Sequence, residues 1–302
     1  NVFTLYERER LLRASYGWVW RSRLHETVSC LTECKFVRSD DVIIKHNHLA
    51  GEARSERNFK LLNIMLEESP DDKRVWLYLG HQNFAGRNWV KAAEWYLKFG
   101  QDLGALPIER YQALYYCSKV FRELRDKQAI DVSLMAVELY PNYKDGYLEL
   151  AHSYLMIGDL DKAIHWASIS DMKEFIQEPP HVIFVNPLDY TCNKYLLLAE
   201  AYTRKGEFEK AFPFLLKAKE VRPTPEIEKN IEQLQLLDRR KRVADSIKIL
   251  AVDLLNNKEL TKMNDLIKST PFWFRDIDEF YNLKAGTDYY SSLIKDAPEI
   301  VE

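Results

Sequence analysis

The stretch Cys192-Asn193-Lys194-Tyr195-Leu196-Leu197-Leu198-Ala199-Glu200-Ala201-Tyr202-Thr203-Arg204-Lys205-Gly206-Glu207-Phe208-Glu209-Lys210-Ala211-Phe212-Pro213-Phe214-Leu215-Leu216-Lys217-Ala218-Lys219-Glu220-Val221-Arg222-Pro223 decides the fold. Its apolar residues recur at helical spacing on both sides of Gly206, which predicts two helices joined by a tight turn. Small Ala199 lets the two helices of the hairpin approach closely, and the large residues three or four positions away fill the groove beside it. Gly206 supplies a left-handed cap that other residues resist. Tyr195, Leu198, Ala199, Tyr202, Gly206, Ala211, Leu215, Ala218 and Pro223 thus form one pattern of large, small, aromatic, turn and terminating positions.

The pattern returns upstream. From Lys144 it reads Tyr147, Leu150, Ala151, Tyr154, Gly158 and Ala163. Before that stand Ala113, Ala129, Ala136 and Pro141, and from Lys73 stand Trp76, Leu79, Gly80, Ala92 and Tyr96. Ala92, Ala129, Ala163 and Ala211 are spaced by 37, 34 and 48 residues, the last being a 34-residue period with a 14-residue insertion. A period of about 34 residues is that of the tetratricopeptide (TPR) helix-turn-helix unit. One such hairpin cannot bury its apolar face alone, so successive hairpins stack into a superhelix whose concave surface is the default binding site. The expected fold is therefore mainly α: a TPR-like α-solenoid preceded by a short α/β segment.

Its units fall near residues 73–106, 110–141, 144–175 and 192–223, within a repeat region spanning 53–223. An inserted loop over about 176–190, carrying Pro179, Pro180 and the run Val182-Ile183-Phe184-Val185, breaks helix between the third and fourth units. Beyond Pro223, Thr224-Pro225-Glu226 reads as N-cap, first-turn proline and acid at the positive end of a helix dipole. Helical patterning from there to about Asn257 opens a C-terminal cap over 224–302. Residues 1–52 differ, since Gly17-Trp18-Val19-Trp20 and Val42-Ile43-Ile44-Lys45-His46 read as short strands.

Composition excludes several classes. With 43 Lys+Arg against 46 Asp+Glu the net charge is −3, which offers no cationic field for nucleic acid. At a usual frequency of roughly 7% about 21 glycines are expected. The chain has 10, with neither a G-x-G nor a phosphate-loop motif. Cys30, Cys34, Cys117 and Cys192 include one C-x3-C pair without the partners of a zinc site, and they read as free thiols of a reducing, cytoplasmic compartment. No stretch has the length and apolarity of a membrane span. Charged Glu7, Arg8, Glu9, Arg10 and Arg13 stand where a signal peptide would have its apolar core. A start at Asn1, inside a helical-looking segment, reads as the C-terminal piece of a longer polypeptide.

The run Tyr16-Gly17-Trp18-Val19-Trp20-Arg21-Ser22-Arg23-Leu24-His25-Glu26, then Ile43-Ile44-Lys45-His46 and Glu56-Arg57-Asn58-Phe59-Lys60-Leu61-Leu62, resembles the end of family-2 glycosyltransferases that continue into tetratricopeptide repeats. The resemblance covers roughly residues 8–100. It implies a GT-A domain that binds a nucleotide sugar and a divalent Mn or Mg ion through an upstream D-x-D, absent from this chain. By position His25 matches the family's His-Glu histidine, a metal ligand in this reading, with Glu26 as a catalytic or ligand-orienting neighbour. The solenoid would then present a protein or glycan acceptor, and the chain alone would be inactive. A non-catalytic scaffold for protein–protein interaction is the alternative.

The inner helices are expected to project Arg74, Tyr78 and His81, then Tyr115, Ser118 and Arg122, then Glu149 and His152, then Asn193 and Glu200 into the groove. Aromatics interleaved with polar groups suit a peptide or sugar rings. Asp159-Leu160-Asp161 reads as interhelix-turn residues, whereas Asp276-Ile277-Asp278 follows the apolar Phe272-Trp273-Phe274 as a metal motif would but comes after the solenoid instead of before the His-Glu segment. His46 and His48 would share one face of a strand, a geometry compatible with a metal, but no carboxylate or Cys stands at ligand spacing, and they read as strand-end hydrogen-bonding groups. Arg239-Arg240-Lys241-Arg242, flanked by Asp238 and Asp245, reads as a solvated helix face or a helix-packing edge.

Overall fold

The computed structural model describes residues 12–24, 27–35, 37, 52–171, 188, 191–257 and 259–270. Its N-terminal part is a β-hairpin in which β1 (Trp18–Arg21) pairs antiparallel with β2 (Thr27–Cys30), Trp18 facing Cys30 and Arg21 facing Thr27. Then come helices α1 (Glu52–Glu68), α2 (Lys73–Ala85), α3 (Trp89–Gln101), α4 (Pro107–Glu123), α5 (Gln128–Leu139), α6 (Lys144–Ile157) and α7 (Leu160–Asp171). They are followed by α8 (Asn193–Arg204), α9 (Phe208–Val221), α10 (Pro225–Asn256) and α11 (Leu260–Ser269).

Four hairpins, α2–α3, α4–α5, α6–α7 and α8–α9, stack in sequence, each second helix packing on the first helix of the next hairpin. This is the tetratricopeptide-like solenoid that the repeat pattern predicts. The four interhelix turns are the same turn. In each, a backbone N–H reaches back five residues to a carbonyl: Asn88 to Asn83 (2.8 Å), Asp126 to Phe121 (2.8 Å), Asp159 to Tyr154 (3.1 Å) and Glu207 to Tyr202 (2.9 Å). The residue just before that donor is left-handed each time: Arg87 (φ 57°), Arg125 (φ 59°), Gly158 (φ 83°) and Gly206 (φ 72°). Orphan carbonyls at the end of the first helix are thereby satisfied, and the chain is aimed back along it.

Inside the hairpins the small positions do what their size allows. Gly80 lies under the ring of fully buried Tyr96. Ala151 packs with Ala163 and Ala167, and Ala199 with Ala211 and Leu215. The second hairpin differs, with the buried Ser118 hydroxyl bonding Ser133 and donating to the Ala129 carbonyl (2.9 Å) across α4 and α5.

The ends of the array are closed differently. Upstream, Leu24 from the β1–β2 connection inserts among Leu62, Met65, Val75 and Leu79 of α1 and α2, and Arg23 makes a two-point ion pair with Glu68. Downstream, α10 opens with Thr224 as N-cap, its hydroxyl accepting from Ile227 N (3.3 Å), and Pro225 in the first turn. Ile227 and Leu234 of α10 pack on α9, and α11 seals the far end of α10 through Met263 against Ala251 and Leu254. The strand expected over residues 42–46, the D-x-D at 276–278 and most of the inserted loop lie outside the described residues.

Candidate functional site

The first helices α2, α4, α6 and α8 form a ladder, and the side chains that join its rungs define its inner face. Between α2 and α4, His81 and Phe84 meet Tyr116 edge-on, with ring centroids 5.4 and 5.3 Å apart. His81 Nδ1 also bonds the Tyr96 hydroxyl at 2.7 Å, and Tyr96 stacks on Tyr116 (5.7 Å, 17°). Burial, then the neighbouring Tyr116 and Cys117, push the Tyr96 phenol far above its ordinary range, so it stays neutral.

Between α4 and α6, Arg122 Nε donates to Glu149 Oε1 at 2.7 Å. Only 3% of the Glu149 side chain is exposed, so this pair is shielded from solvent on one side. Burial disfavours the Arg122 charge, yet Glu149 beside it outweighs that cost and raises the guanidinium pKa. Between α6 and α8, Arg204 donates to the Leu155 carbonyl (3.0 Å) and pairs with Glu200 one turn back.

The expected groove residues therefore divide by role. Arg74 is exposed on α2, donates to the Tyr78 hydroxyl (3.0 Å) and lies over its ring. Tyr78, His81, His152 and Asn193 are half-buried, and Glu200 is exposed. Arg122 and Glu149 serve as a rung between helices, and Ser118 lies wholly inside the second hairpin. Tyr115 is 5% exposed, with Tyr116 against its edge and Lys119 Nζ 4.2 Å over its ring. Tyr116 is more open than Tyr115, and it was missed in the sequence. The spacing of Gln112, Tyr116, Lys119 and Glu123 on one stripe of α4 is the signal that finds it.

Sequence reasoning also missed an open cavity of about 620 Å³ at the upstream end of the ladder. It is lined by Glu56, Phe59, Lys60, Asn63 and Glu67 along one face of α1, with Gln82 and the α2–α3 turn opposite.

His25, Glu26, His46 and His48 lie outside the described residues. Among the described residues no group of three or more His, Cys, Asp or Glu side chains could hold a metal ion. Asp159 is a turn residue, its carboxylate accepting from Lys162 N (3.1 Å) and pairing with Lys162 Nζ (3.0 Å). The basic run on α10 is a packing edge: Lys241 donates to the Gly206 carbonyl (2.7 Å), and Arg242 pairs with Asp238 and Glu209. No helix among the described residues is long and apolar enough to cross a membrane.

No protein-family model matches the chain, and no curated protein matches it. Among solved structures, the MamA protein is 23% identical with a TM-score of 0.45, over 56% of this chain and 83% of that one. TTC0263, described as a thermophilic TPR protein of Thermus thermophilus, is 20% identical with a TM-score of 0.45, over 61% and 92%. YrrB, described as a TPR protein with an unusual peptide-binding site, is 18% identical with a TM-score of 0.45, over 60% and 84%. The fold assignment here rests on the four hairpins and their common turn.

Proposed function

We propose that the chain is a helical-repeat scaffold that binds an extended peptide segment of a protein partner along the inner face of α2, α4, α6 and α8. The observation that carries this reading is the ladder itself. Its rungs hold successive first helices side by side, and on those helices Arg74, Tyr78, His81, Tyr116, Lys119, His152, Asn193 and Glu200 are half-buried or exposed. Aromatic faces give contact area at low entropic cost, and interleaved charges and amides can meet the polar groups of an extended backbone. A rigid solenoid loses little conformational entropy on binding, which favours a peptide that must itself be ordered.

The test is selection of random displayed peptides against the full chain, followed by titration of the selected peptides. Binding that depends on Arg74, His152 and Asn193 supports the reading. Recovery of no binding peptide overturns it.

One observation favours keeping the glycosyltransferase reading as a second proposal. Leu24 and Arg23 pin the segment that carries the resemblance onto α1 and α2, so a catalytic domain joined there would be held in a fixed relation to the groove. In that reading the groove presents a protein or glycan acceptor to a nucleotide-sugar-binding domain upstream, and His25, with Glu26 beside it, would help hold Mn or Mg. No step is assigned to either residue, since both lie outside the described residues.

A further inference from the structure

The cations on the first helices fall into two kinds. Arg122 pairs with Glu149 and Arg204 with Glu200, so both of these guanidinium groups have their anion inside the chain. Arg74 and Lys119 do not. Among the described residues neither forms an ion pair, and each rests on an aromatic ring of its own helix. The Arg74 guanidinium carbon is 5.6 Å from the centre of the Tyr78 ring, and one N–H donates to the Tyr78 hydroxyl (3.0 Å). Lys119 Nζ is 4.2 Å from the centre of the Tyr115 ring, and Lys119 is half-buried there with a ring face in place of an oxygen partner. Held this way, both cations are ordered before any ligand arrives.

Their relative placement follows from the helix contacts and the common turn. Arg74, Tyr78 and His81 form one stripe of α2, at i, i+4 and i+7, and Gln112, Tyr116 and Lys119 form the same stripe of α4. The two stripes meet where the His81 ring touches Tyr116 edge-on. His81 and Lys119 each stand six residues before the left-handed residue of their turn, Arg87 and Arg125, and so are level on neighbouring helices. Arg74 stands seven residues before His81, about 10 Å along α2. With neighbouring axes about 10 Å apart, the two cations are separated diagonally by about 15 Å. An extended chain rises about 3.3 Å per residue, so this span is about four residues, and an even spacing turns both side chains to one face.

We propose that the partner segment is acidic where it crosses α2 and α4, with two side-chain carboxylates about four residues apart seated on Arg74 and Lys119. The proposal rests on the peptide-binding reading of the inner face and names the chemistry of the peptide. Burial works against the Arg74 charge, but Tyr78, then Glu109 and Asp72, outweigh it and raise the guanidinium pKa. Those two carboxylates also argue against a polyanion such as nucleic acid, whose closely spaced phosphates would be repelled by them. Two separate carboxylates, joined by residues that can pack on Tyr116 and His81, meet the cations without that repulsion.

The experiment is selection of random displayed peptides against the full chain, followed by anisotropy titration of synthetic copies acetylated and amidated at their ends. Expected is enrichment of Asp or Glu in pairs about four residues apart. Each carboxylate-to-amide change in the peptide should weaken binding about 3- to 10-fold, and raised salt should weaken the acidic peptide more than its amide counterpart. Arg74→Gln and Lys119→Gln should each weaken the acidic peptide by a similar factor and cost nothing further once the facing carboxylate is already an amide. Far-UV circular dichroism identical to the parent establishes that each variant keeps its helices. Selected peptides without acidic pairs, unchanged affinity on carboxylate-to-amide exchange, or loss of binding on amidating the C-terminus would overturn the acidic partner and leave the peptide groove standing. Recovery of no binding peptide overturns both.

Discussion

Replacing Gly80 by alanine sets two well-defined effects against each other. Gly80 is in the interior of α2, where alanine is favoured over glycine by about 0.5–1 kcal/mol because it restricts the unfolded chain and helps the helix. At an exposed site that gain would win. Here the added Cβ would stand 2.6 Å from Tyr96 Cδ1 and 2.7 Å from Cε1. The ring cannot simply swing aside: it is fully buried, tied to His81 by a 2.7 Å hydrogen bond and stacked on Tyr116. Relief requires a shift of roughly 1 Å between α2 and α3, and overpacking of a tight core costs about 1–3 kcal/mol. Loss of the His81–Tyr96 bond would add about 0.5–1.5 kcal/mol. The expected net is a destabilisation of about 0.5–4 kcal/mol once the helical gain is subtracted.

Urea titration followed by circular dichroism reads this as a lower midpoint, and hydrogen exchange should place the loss in α2 and α3. Gly86→Ala is the matched control, since its Cβ would meet nothing closer than 3.4 Å and the backbone there has an ordinary φ of −80°. A Gly80→Ala chain as stable as the parent would refute the close packing of α2 on Tyr96.

Three further outcomes follow from the geometry. Arg122→Met leaves Glu149 buried without its partner and should cost about 2–4 kcal/mol, discounted from a fully buried pair because Arg122 is partly exposed; adding Glu149→Leu should recover most of it, read from urea midpoints of the single and double variants. Because folding raises the Cys117 thiol from its ordinary value of 9.0 to about 12, the folded chain holds that proton after the unfolded chain has lost it. Its contribution to stability is thus full below pH 9.0 and fades toward pH 12, and Cys117→Ala should flatten this part of the urea midpoint's fall with pH. At the left-handed turn positions, Arg125→Gly should stabilise by about 0.5–1 kcal/mol and Gly158→Ala should destabilise by about 1 kcal/mol, measured by thermal melting.

Those turns show how far the sequence could be read. Gly158 and Gly206 announce the third and fourth turns because glycine is the usual left-handed residue, whereas Arg87 and Arg125 adopt the same φ without any compositional sign. The small positions Gly80, Ala151 and Ala199 were legible, since close helix approach limits side-chain size at fixed spacing. The site was less legible. Helical periodicity puts Tyr115, Tyr116 and Ser118 on overlapping sides of α4, and only the packing of α4 against α2, α5 and α6 decides which stays open. Arg122 and Glu149 look like two independent groove charges until α4 and α6 are side by side. The cavity on α1 left no mark, because it is formed by residues from two helices whose relative placement the pattern does not encode.

Anisotropy titration of a display-selected peptide against two triple variants tests binding on the inner face most directly. Arg74→Ala/His152→Ala/Asn193→Ala alters three first helices, and Lys91→Ala/Glu138→Ala/Lys217→Ala alters exposed positions on second helices. At about 0.5–1 kcal/mol per truncated contact, the first set should weaken binding about 10- to 100-fold, and the second should leave it unchanged. Equal affinity of the first variant and the parent, or loss confined to the second, would contradict a peptide groove along α2, α4, α6 and α8.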